Sequence, residues 1–346
     1  MMRVSDFDYE LPEELIAQQP LARRDASRMM IIDRRNQNWT DSNFIDFPAH
    51  LSSGDLIVLN NTRVFPARLR GRRLPSGGQV ELLLLNEVGP NTWEALARPA
   101  RKLNAGALLS FGANELQAEV GGEKPDGVRV VRFDYTGDLM SVVDRIGETP
   151  LPPYIKPNPS AAGNDRNRYQ TVYAKDRGAI AAPTAGLHFT EEALNQVKAT
   201  GASIAEITLH VGYGTFEPVR VADISKHRVA AERYTIRDDV ANAINGTRAS
   251  GHRIIAVGTT TTRALESATN EAGCTAGGAG TADLTIVPGY QIRAIDCLLT
   301  NFHLPQSSLL MLVSAFAGRE LVLAAYRHAI RERYRFYSYG DCMLII

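Results

Sequence analysis

A change of texture near residue 150 constrains the fold of this 346-residue chain more than any single motif. Before it, from residue 55 to about 135, short apolar runs follow one another with Gly, Pro or Asn between most of them. The runs cover 55–59, 79–85, 92–98, 107–111, 115–120 and 127–135, and Ser76-Gly77-Gly78 gives a turn signal before the second. Short strands at this spacing predict a small sheet or barrel. After a proline-rich connector at 150–157 and a polar loop at 158–167, helices and strands alternate. Helices are expected from the Thr190 cap to the glycine stop at Gly201, and over 237–250, 262–271, 306–316 and 319–332. Strands are expected over 203–210, 252–257 and 284–287, with a flexible Gly/Ala-rich surface loop at 272–282. This is α/β texture, with strands running mainly parallel. The buried character of 55–59 places that run with the later part. The expectation is therefore a mixed α/β fold: a discontinuous α/β domain, 1–64 and 150–346, with a small β-barrel, 65–149, inserted in it.

Charge and composition exclude several classes. Lys plus Arg and Asp plus Glu balance at 38 each, so no global charge points to nucleic acid, although a local stripe would suffice. Asp6, Asp8 and Glu10 fall where a signal peptide needs an apolar core. The longest apolar run, 309–316, is far short of the roughly 20 residues that span a bilayer. A cytoplasmic protein without membrane association is expected. Cys274, Cys297 and Cys342 are widely spaced, which predicts neither a zinc site nor a disulfide framework. No metal is expected, and nothing demands a partner chain, so a monomer is expected.

Four short loops carry the chemistry. They are Ala181-Ala182-Pro183-Thr184-Ala185-Gly186-Leu187-His188-Phe189-Thr190, His210-Val211-Gly212-Tyr213-Gly214-Thr215-Phe216, Val257-Gly258-Thr259-Thr260-Thr261-Thr262-Arg263 and Thr300-Asn301-Phe302-His303-Leu304-Pro305. Three of them follow apolar runs that read as buried strands, and α/β sheets place ligands at such strand ends. Histidine offers a proton switch near neutral pH, and glycine lets backbone N–H groups approach a ligand. The threonine run opens a helix, whose N-terminus suits a polar or anionic group, but it lacks the lysine of a P-loop. The Gly212-Tyr213-Gly214 turn lacks the third glycine of a dinucleotide fingerprint. Each loop has a plain alternative: a threonine-rich cap, a tight turn, a satisfied core histidine. Their joint occurrence predicts one pocket around His188, His210, Gly212, Thr259, Thr260, Asn301 and His303. Glu232, close after His227, is either a general base or a surface carboxylate. Arg63, Arg68, Arg70, Arg72 and Arg73, with Arg98, Arg101 and Lys102 nearby, form either a phosphate-tracking patch or a solvated face.

Longer motifs resemble one family, the S-adenosylmethionine:tRNA ribosyltransferase-isomerases of queuosine biosynthesis. Phe7-Asp8-Tyr9-Glu10-Leu11-Pro12-Glu13-Glu14-Leu15-Ile16-Ala17-Gln18-Gln19-Pro20 is similar to its opening signature. Asn60-Asn61-Thr62-Arg63-Val64, Arg168-Tyr169-Gln170-Thr171-Val172-Tyr173-Ala174, the four loops and Tyr337-Ser338-Tyr339-Gly340-Asp341 resemble its later ones. His227 and Glu232 match, but the second histidine usual in the family, three residues after His227, is Ala230 here. The resemblance implies transfer and isomerisation of the ribosyl part of S-adenosyl-L-methionine onto the 7-aminomethyl-7-deazaguanine at the tRNA wobble position. Epoxyqueuosine-tRNA, adenine and methionine would result. S-adenosyl-L-methionine would be co-substrate and tRNA the partner. On this reading His188, His303, Glu232 and His227 are the candidate catalytic residues, with His210 more positional. His210, Gly212, Tyr213, Gly214, Thr259, Thr260, Thr261 and Asn301 would bind the co-substrate, and Arg63, Arg68, Arg70, Arg101 and Lys102 the tRNA. A methyltransferase using the same co-substrate and a noncatalytic RNA-binding module are the alternatives; the first lacks its glycine-rich turn, and the second leaves the four loops without a purpose.

Overall fold

The computed structural model describes residues 2–124, 127–156 and 162–346. Two compact units result: Met1–Arg63 with Pro153–Asn158 and Arg168–Ile346, and Val64–Pro152 with Pro159–Asn167.

The first unit is built on a nine-stranded sheet. Its order is Gly278–Ala282, Glu232–Ile236, Ser203–Leu209, Leu56–Asn60, Ile254–Val257, Cys297–Asn301, Cys342–Ile345, Arg28–Asp33, Asn38–Asn43. Leu56–Asn60 is buried at every position and pairs in parallel with both neighbours, which is why it reads as an unbroken apolar run. Ile254–Val257 also pairs in parallel with Cys297–Asn301, and Cys342–Ile345 with Arg28–Asp33. The other four pairings are antiparallel, so the sheet is mixed rather than mainly parallel. Helices start where the side chains dictate. Thr190 Oγ1 accepts from the Ala193 N–H at 3.1 Å to cap Glu191–Ala199, and Ser307 Oγ accepts from Leu310 to cap Ser308–Ala317.

Some expectations fail for local reasons. The segment 278–282, read as a flexible loop, is an edge strand, Gly278–Ala282. Gly280 lies opposite Tyr234, and a Cβ there would come 2.5 Å from the Tyr234 hydroxyl, so the ring covers the glycine and completes the edge. The strand expected at 284–287 is irregular chain, and its Leu284 carbonyl accepts a hydrogen bond from Arg263. The helix expected from Thr262 starts at Thr259. The connector at 150–157 and the polar loop at 158–167 include residues 157–161, which lie outside the described residues; Ala162–Arg168 is a helix rather than a loop.

The second unit holds a closed six-stranded barrel: Arg129–Asp134, Thr92–Arg98, Gln79–Gly89, Arg68–Leu74, Leu108–Phe111, Leu116–Glu123. Leu69, Leu82, Leu84, Leu109, Phe111 and Val131 are buried in its core. Gly71 permits closure, because a Cβ there would meet the Ser110 carbonyl oxygen at 2.3 Å. A capped helix, Leu139–Ile146, follows the last barrel strand. No single helix among the described residues is long and apolar enough to cross a membrane. One bent pair, Ser308–Ala317 and Arg319–Arg331, reaches that length and apolarity only jointly, across a 116° break. Of the cysteines, Cys297 and Cys342 are buried and Cys274 is exposed, all as free thiols.

Candidate active site

Ser203–Leu209, Leu56–Asn60, Ile254–Val257 and Cys297–Asn301 run parallel, so their carboxyl ends fall along one edge of the sheet. Crevices outside such ends are where α/β sheets bind ligands. Ile254–Val257 ends at Gly258, which holds φ +94° and starts the helix Thr259–Ala268. Thr259 and Thr260 line a pocket at this point, while Thr261 and Thr262 turn back and donate to the carbonyls of Val257 and Gly258 at 2.6 and 3.2 Å. Thr261 is thereby committed to the helix and does not line the pocket. The first turn of the helix still leaves backbone N–H groups without intrahelical acceptors.

The pocket is open to solvent, and Asn301, His303, Tyr337 and Ser338 line it beside the two threonines. Asn301 donates through Nδ2 to the Tyr337 carbonyl at 2.9 Å, and its Oδ1 is buried without a well-formed hydrogen bond. Tyr337 holds φ +74°, which is uncommon for a non-glycine residue and typical of sites over-determined by their surroundings. His303 pairs through Nε2 with the Thr300 hydroxyl at 3.1 Å, and its carbonyl accepts from the Tyr9 hydroxyl. Burial holds its imidazole down to about 3.

His188 ends the short turn Thr184–His188 and is 4% exposed. Its Nδ1 shares a hydrogen bond with the buried Ser27 hydroxyl at 2.7 Å, and Nε2 is buried without a well-formed hydrogen bond. Burial lowers it to about 4; the Asn301 side chain pulls it upward, and Arg24 and Arg335 push it further down. His188 lines a second cleft, which shares Ser338 with the first pocket. Both histidines are thus neutral at physiological pH and able to accept a proton.

Glu232 is buried and has a donor on each oxygen. Oε1 accepts from the Gly212 N–H at 2.9 Å and the Thr215 hydroxyl at 3.1 Å, and Oε2 from Arg263 Nη1 at 2.5 Å. Burial pushes this carboxyl up, against the pull of Arg263 and the two donors of the loop. Arg263 spends its remaining donors on the carbonyls of Ala282, Ala230 and Leu284 at 2.7, 3.2 and 3.4 Å. Glu232, Arg263, Gly214 and Ala230 line a further pocket, joined to the first through Thr215 and Leu309. Gly214 sits so close to Ala230 that a Cβ on it would lie 2.4 Å from that of Ala230.

The expected single pocket therefore gathers Thr259, Thr260, Asn301 and His303 directly, with His188 across the Ser338 wall. His210, Gly212, Tyr213 and His227 line none of these three hollows. His210 faces the other way, with Nδ1 on the Thr62 hydroxyl at 2.8 Å and its ring against Gly178. His227 pairs through Nε2 with the Ser308 hydroxyl at 2.6 Å, and burial lowers both imidazoles. Ser27 and Tyr154, absent from the sequence expectations, and Arg263, given there only as the end of the threonine loop, belong to the site or its support. Tyr154 lines the main pocket and bonds the Ser338 hydroxyl.

In the barrel, the alternation of Arg68–Leu74 puts Leu69 in the core and Arg70 and Arg72 outside. Arg70 lies opposite Glu81 and is 3.1 Å from Glu148; Arg68 is 3.7 Å from Glu81. Arg101 and Lys102 are exposed on a short turn, Ala100–Lys102, which Arg129 holds by donating to the Ala100 and Leu103 carbonyls. Arg63, in the first unit, is exposed.

The depressed histidines predict an acid-labile fold. Unfolded histidine titrates near 6.5, and His188 in the fold near 4, so between these values the unfolded chain binds more protons. Stability is complete above the unfolded value and falls as the pH drops toward the folded one. His188→Gln should remove about one proton from the uptake that accompanies unfolding near pH 5. Urea unfolding at several pH values measures this slope; an unchanged slope would show that His188 is charged in the fold.

A mixed sheet with a polar pocket at its strand ends, two neutral buried histidines and a separate barrel defines a class of α/β enzyme-like proteins. The family described as "Queuosine biosynthesis protein" matches residues 4–345. The S-adenosylmethionine:tRNA ribosyltransferase-isomerase of Moorella thermoacetica is 51% identical over the full length of both chains, and that of Caldanaerobacter subterraneus subsp. tengcongensis 50%. A crystal structure of S-adenosylmethionine tRNA ribosyltransferase from Thermotoga maritima is 36% identical, with a TM-score of 0.56 over 99% of this chain and 100% of that one. The chain belongs to the queuosine biosynthesis family.

Proposed function

We propose that this protein is an S-adenosylmethionine:tRNA ribosyltransferase-isomerase. The observation that carries the reading is identity of about half the residues, end to end, with relatives that bear this name. In the finer form, the ribosyl part of S-adenosyl-L-methionine is transferred to the aminomethyl group of a 7-deazaguanine at the wobble position and isomerised, and adenine and methionine leave.

The site residues fit such a co-substrate. Asn301 Oδ1 and His188 Nε2 are buried and make no well-formed hydrogen bond, although the Asn301 side chain lies near enough to His188 to pull it upward, so a polar ligand can complete either atom. Thr259, Thr260 and the open first turn of their helix add donors. The reaction needs a proton taken from the carbon beside a sulfonium. The positive charge already acidifies that carbon, so a neutral imidazole suffices as base. His188 suits this role best, because Ser27 fixes Nδ1 and leaves Nε2 available. His303, neutral and with Nε2 on Thr300, suits the pocket wall rather than the protonation of a departing base. Glu232, held by Arg263, positions the Gly212–Thr215 turn rather than moving a proton. His227 sits behind Ser308 and supports the same wall.

For tRNA, Arg63, Arg68, Arg70, Arg101 and Lys102 remain the proposed contacts. Arg101 and Lys102 have no carboxylate within ion-pair distance among the described residues, whereas Arg68 and Arg70 share Glu81. Charge reversal at Arg101 and Lys102 should therefore weaken tRNA binding more than reversal at Arg68 and Arg70. Each lost phosphate contact should lower the log–log salt slope by about one unit. Equal slopes in all variants would mark these residues as a solvated face only.

The reaction itself is tested by incubation with S-adenosylmethionine and tRNA carrying the aminomethyl base. Free adenine supports the reading; S-adenosylhomocysteine would mark a methyltransferase, and no product a binding module.

A further inference from the structure

The hollow at Glu232 and Arg263 is not accounted for by the proton transfer. It adjoins the main pocket, because Thr215 and Leu309 line both. Its walls are apolar, made by Val229, Leu284, Ile286, Leu309 and Leu312. Its charge is cancelled. Among the described residues, Glu232 and Arg263 are the only charged ones that line it, and they pair at 2.5 Å. Arg263 gives its other donors to the carbonyls of Ala230, Ala282 and Leu284, so neither partner is left to hold an ion. The Ser308 hydroxyl is engaged with His227 at 2.6 Å. Two hydroxyls of the lining remain for a neutral ligand. Thr285 Oγ1 accepts from the Val229 N–H at 3.2 Å and keeps its own proton to donate. Thr215 Oγ1 donates to Glu232 at 3.1 Å and keeps lone pairs to accept.

Apolar walls with a few polar groups that fix orientation, and no net charge, match a planar heterocyclic base rather than a charged group. We propose that this hollow is the subsite for a purine-type base, the adenine of the co-substrate, with Thr285 and Thr215 reading its edge. The choice of ligand rests on the reading of function given above, which supplies two such bases: that adenine and the deazaguanine of the tRNA. The hydroxyls favour adenine. Its ring nitrogens accept, as the Thr285 proton requires, and its amino group donates, as the Thr215 lone pairs require. Deazaguanine instead presents a ring N–H and an amino group as neighbouring donors, a pair suited to a carboxylate. The Glu232 carboxylate is already held by Gly212, Thr215 and Arg263. Adenine is also bonded directly to the ribosyl group, so a hollow that shares Thr215 and Leu309 with the main pocket keeps it beside the group transferred.

The test uses the full chain and the variants Thr285→Val, Thr285→Ser and Val229→Phe, with circular dichroism as the check on folding. Free adenine and 5′-methylthioadenosine are the probes in equilibrium binding, and this arm does not depend on the proposed reaction. T285V keeps the shape of the side chain and should weaken both probes about two- to tenfold, the loss of one neutral hydrogen bond. T285S restores the hydroxyl and should bind them as the wild type does. V229F puts bulk into the hollow and should weaken both further. Binding of the free aminomethyl-deazaguanine base should be unchanged in all three. The reverse pattern, with the deazaguanine base weakened and the adenine probes unaffected, would overturn the assignment to adenine. Folded variants that bind every probe as the wild type does, or a wild type that binds neither adenine probe, would overturn the subsite altogether. A wild type that shows the expected pattern but transfers no ribosyl group from S-adenosylmethionine to tRNA would sink the functional reading and leave the purine subsite standing.

Discussion

Arg263→Met is expected to lower the unfolding free energy by about 3–5 kcal/mol, the scale on which removal of one partner from a buried ion pair acts. Arg263 and Glu232 are 6% and 4% exposed, and their bond is the centre of a larger clasp. Through Glu232 it holds the Gly212–Thr215 turn, and through Arg263 the carbonyls of Ala230, Ala282 and Leu284. Loss of Arg263 leaves a carboxylate buried and several carbonyls unpaired. Glu232→Gln keeps a neutral acceptor for Gly212 and should cost less. Because Thr215 lines the main pocket, R263M should also weaken co-substrate binding, whereas a proton-transfer role for Glu232 would show in turnover alone. Urea unfolding and equilibrium binding separate these. A loss below about 1 kcal/mol, the range of exposed pairs, would mean that the pair is solvated.

His188→Gln is expected to reduce turnover by about 10²–10⁴-fold, the usual contribution of a positioned base, with co-substrate affinity nearly intact. Its Nε2 is buried without a well-formed hydrogen bond, beside the Asn301 side chain, and its depressed pKa keeps it neutral. If proton removal is reversible, the variant should also lose exchange of solvent deuterium into the ribosyl carbon beside sulfur. A variant that turns over normally once saturated, but needs far more co-substrate, would make His188 a binding residue. Ser27→Ala should act more mildly in the same direction, since it frees the ring that Ser27 now orients.

The strand-end loops were legible because their composition has few structural uses. Asn301, His303, Thr259 and Thr260 meet at one pocket for the reason their pattern suggests: each lies at or within three residues after the carboxyl end of a buried strand. The same reasoning could not tell which way a side chain turns. His210 follows such a strand too, yet its ring packs on Gly178 and Thr62. Thr261 looks like Thr260 in sequence, but helical geometry sends its hydroxyl back to Val257. Arg263 closes the threonine loop in the sequence, yet nothing there marked its role, because an arginine in a helix reads as surface until its buried carboxylate is found 31 residues earlier in the chain. The glycine-rich strand Gly278–Ala282 escaped because its stability comes from the Tyr234 ring on the neighbouring strand, a contact no local pattern encodes. The barrel was readable from turn spacing, although Arg68–Leu74 hid behind its charges: the arginines that suggest a binding patch are also the outward half of a strand.

The most direct measurement follows two labels at once. The protein is given S-adenosylmethionine carrying one isotope in the ribosyl group and another in the methyl group, together with tRNA bearing the aminomethyl-deazaguanine. The ribosyl label should enter the tRNA, the methyl label should leave with methionine, and one adenine should appear for each ribosyl group transferred. Methyl label in the tRNA, or no label in it while the co-substrate is bound, would contradict this reaction.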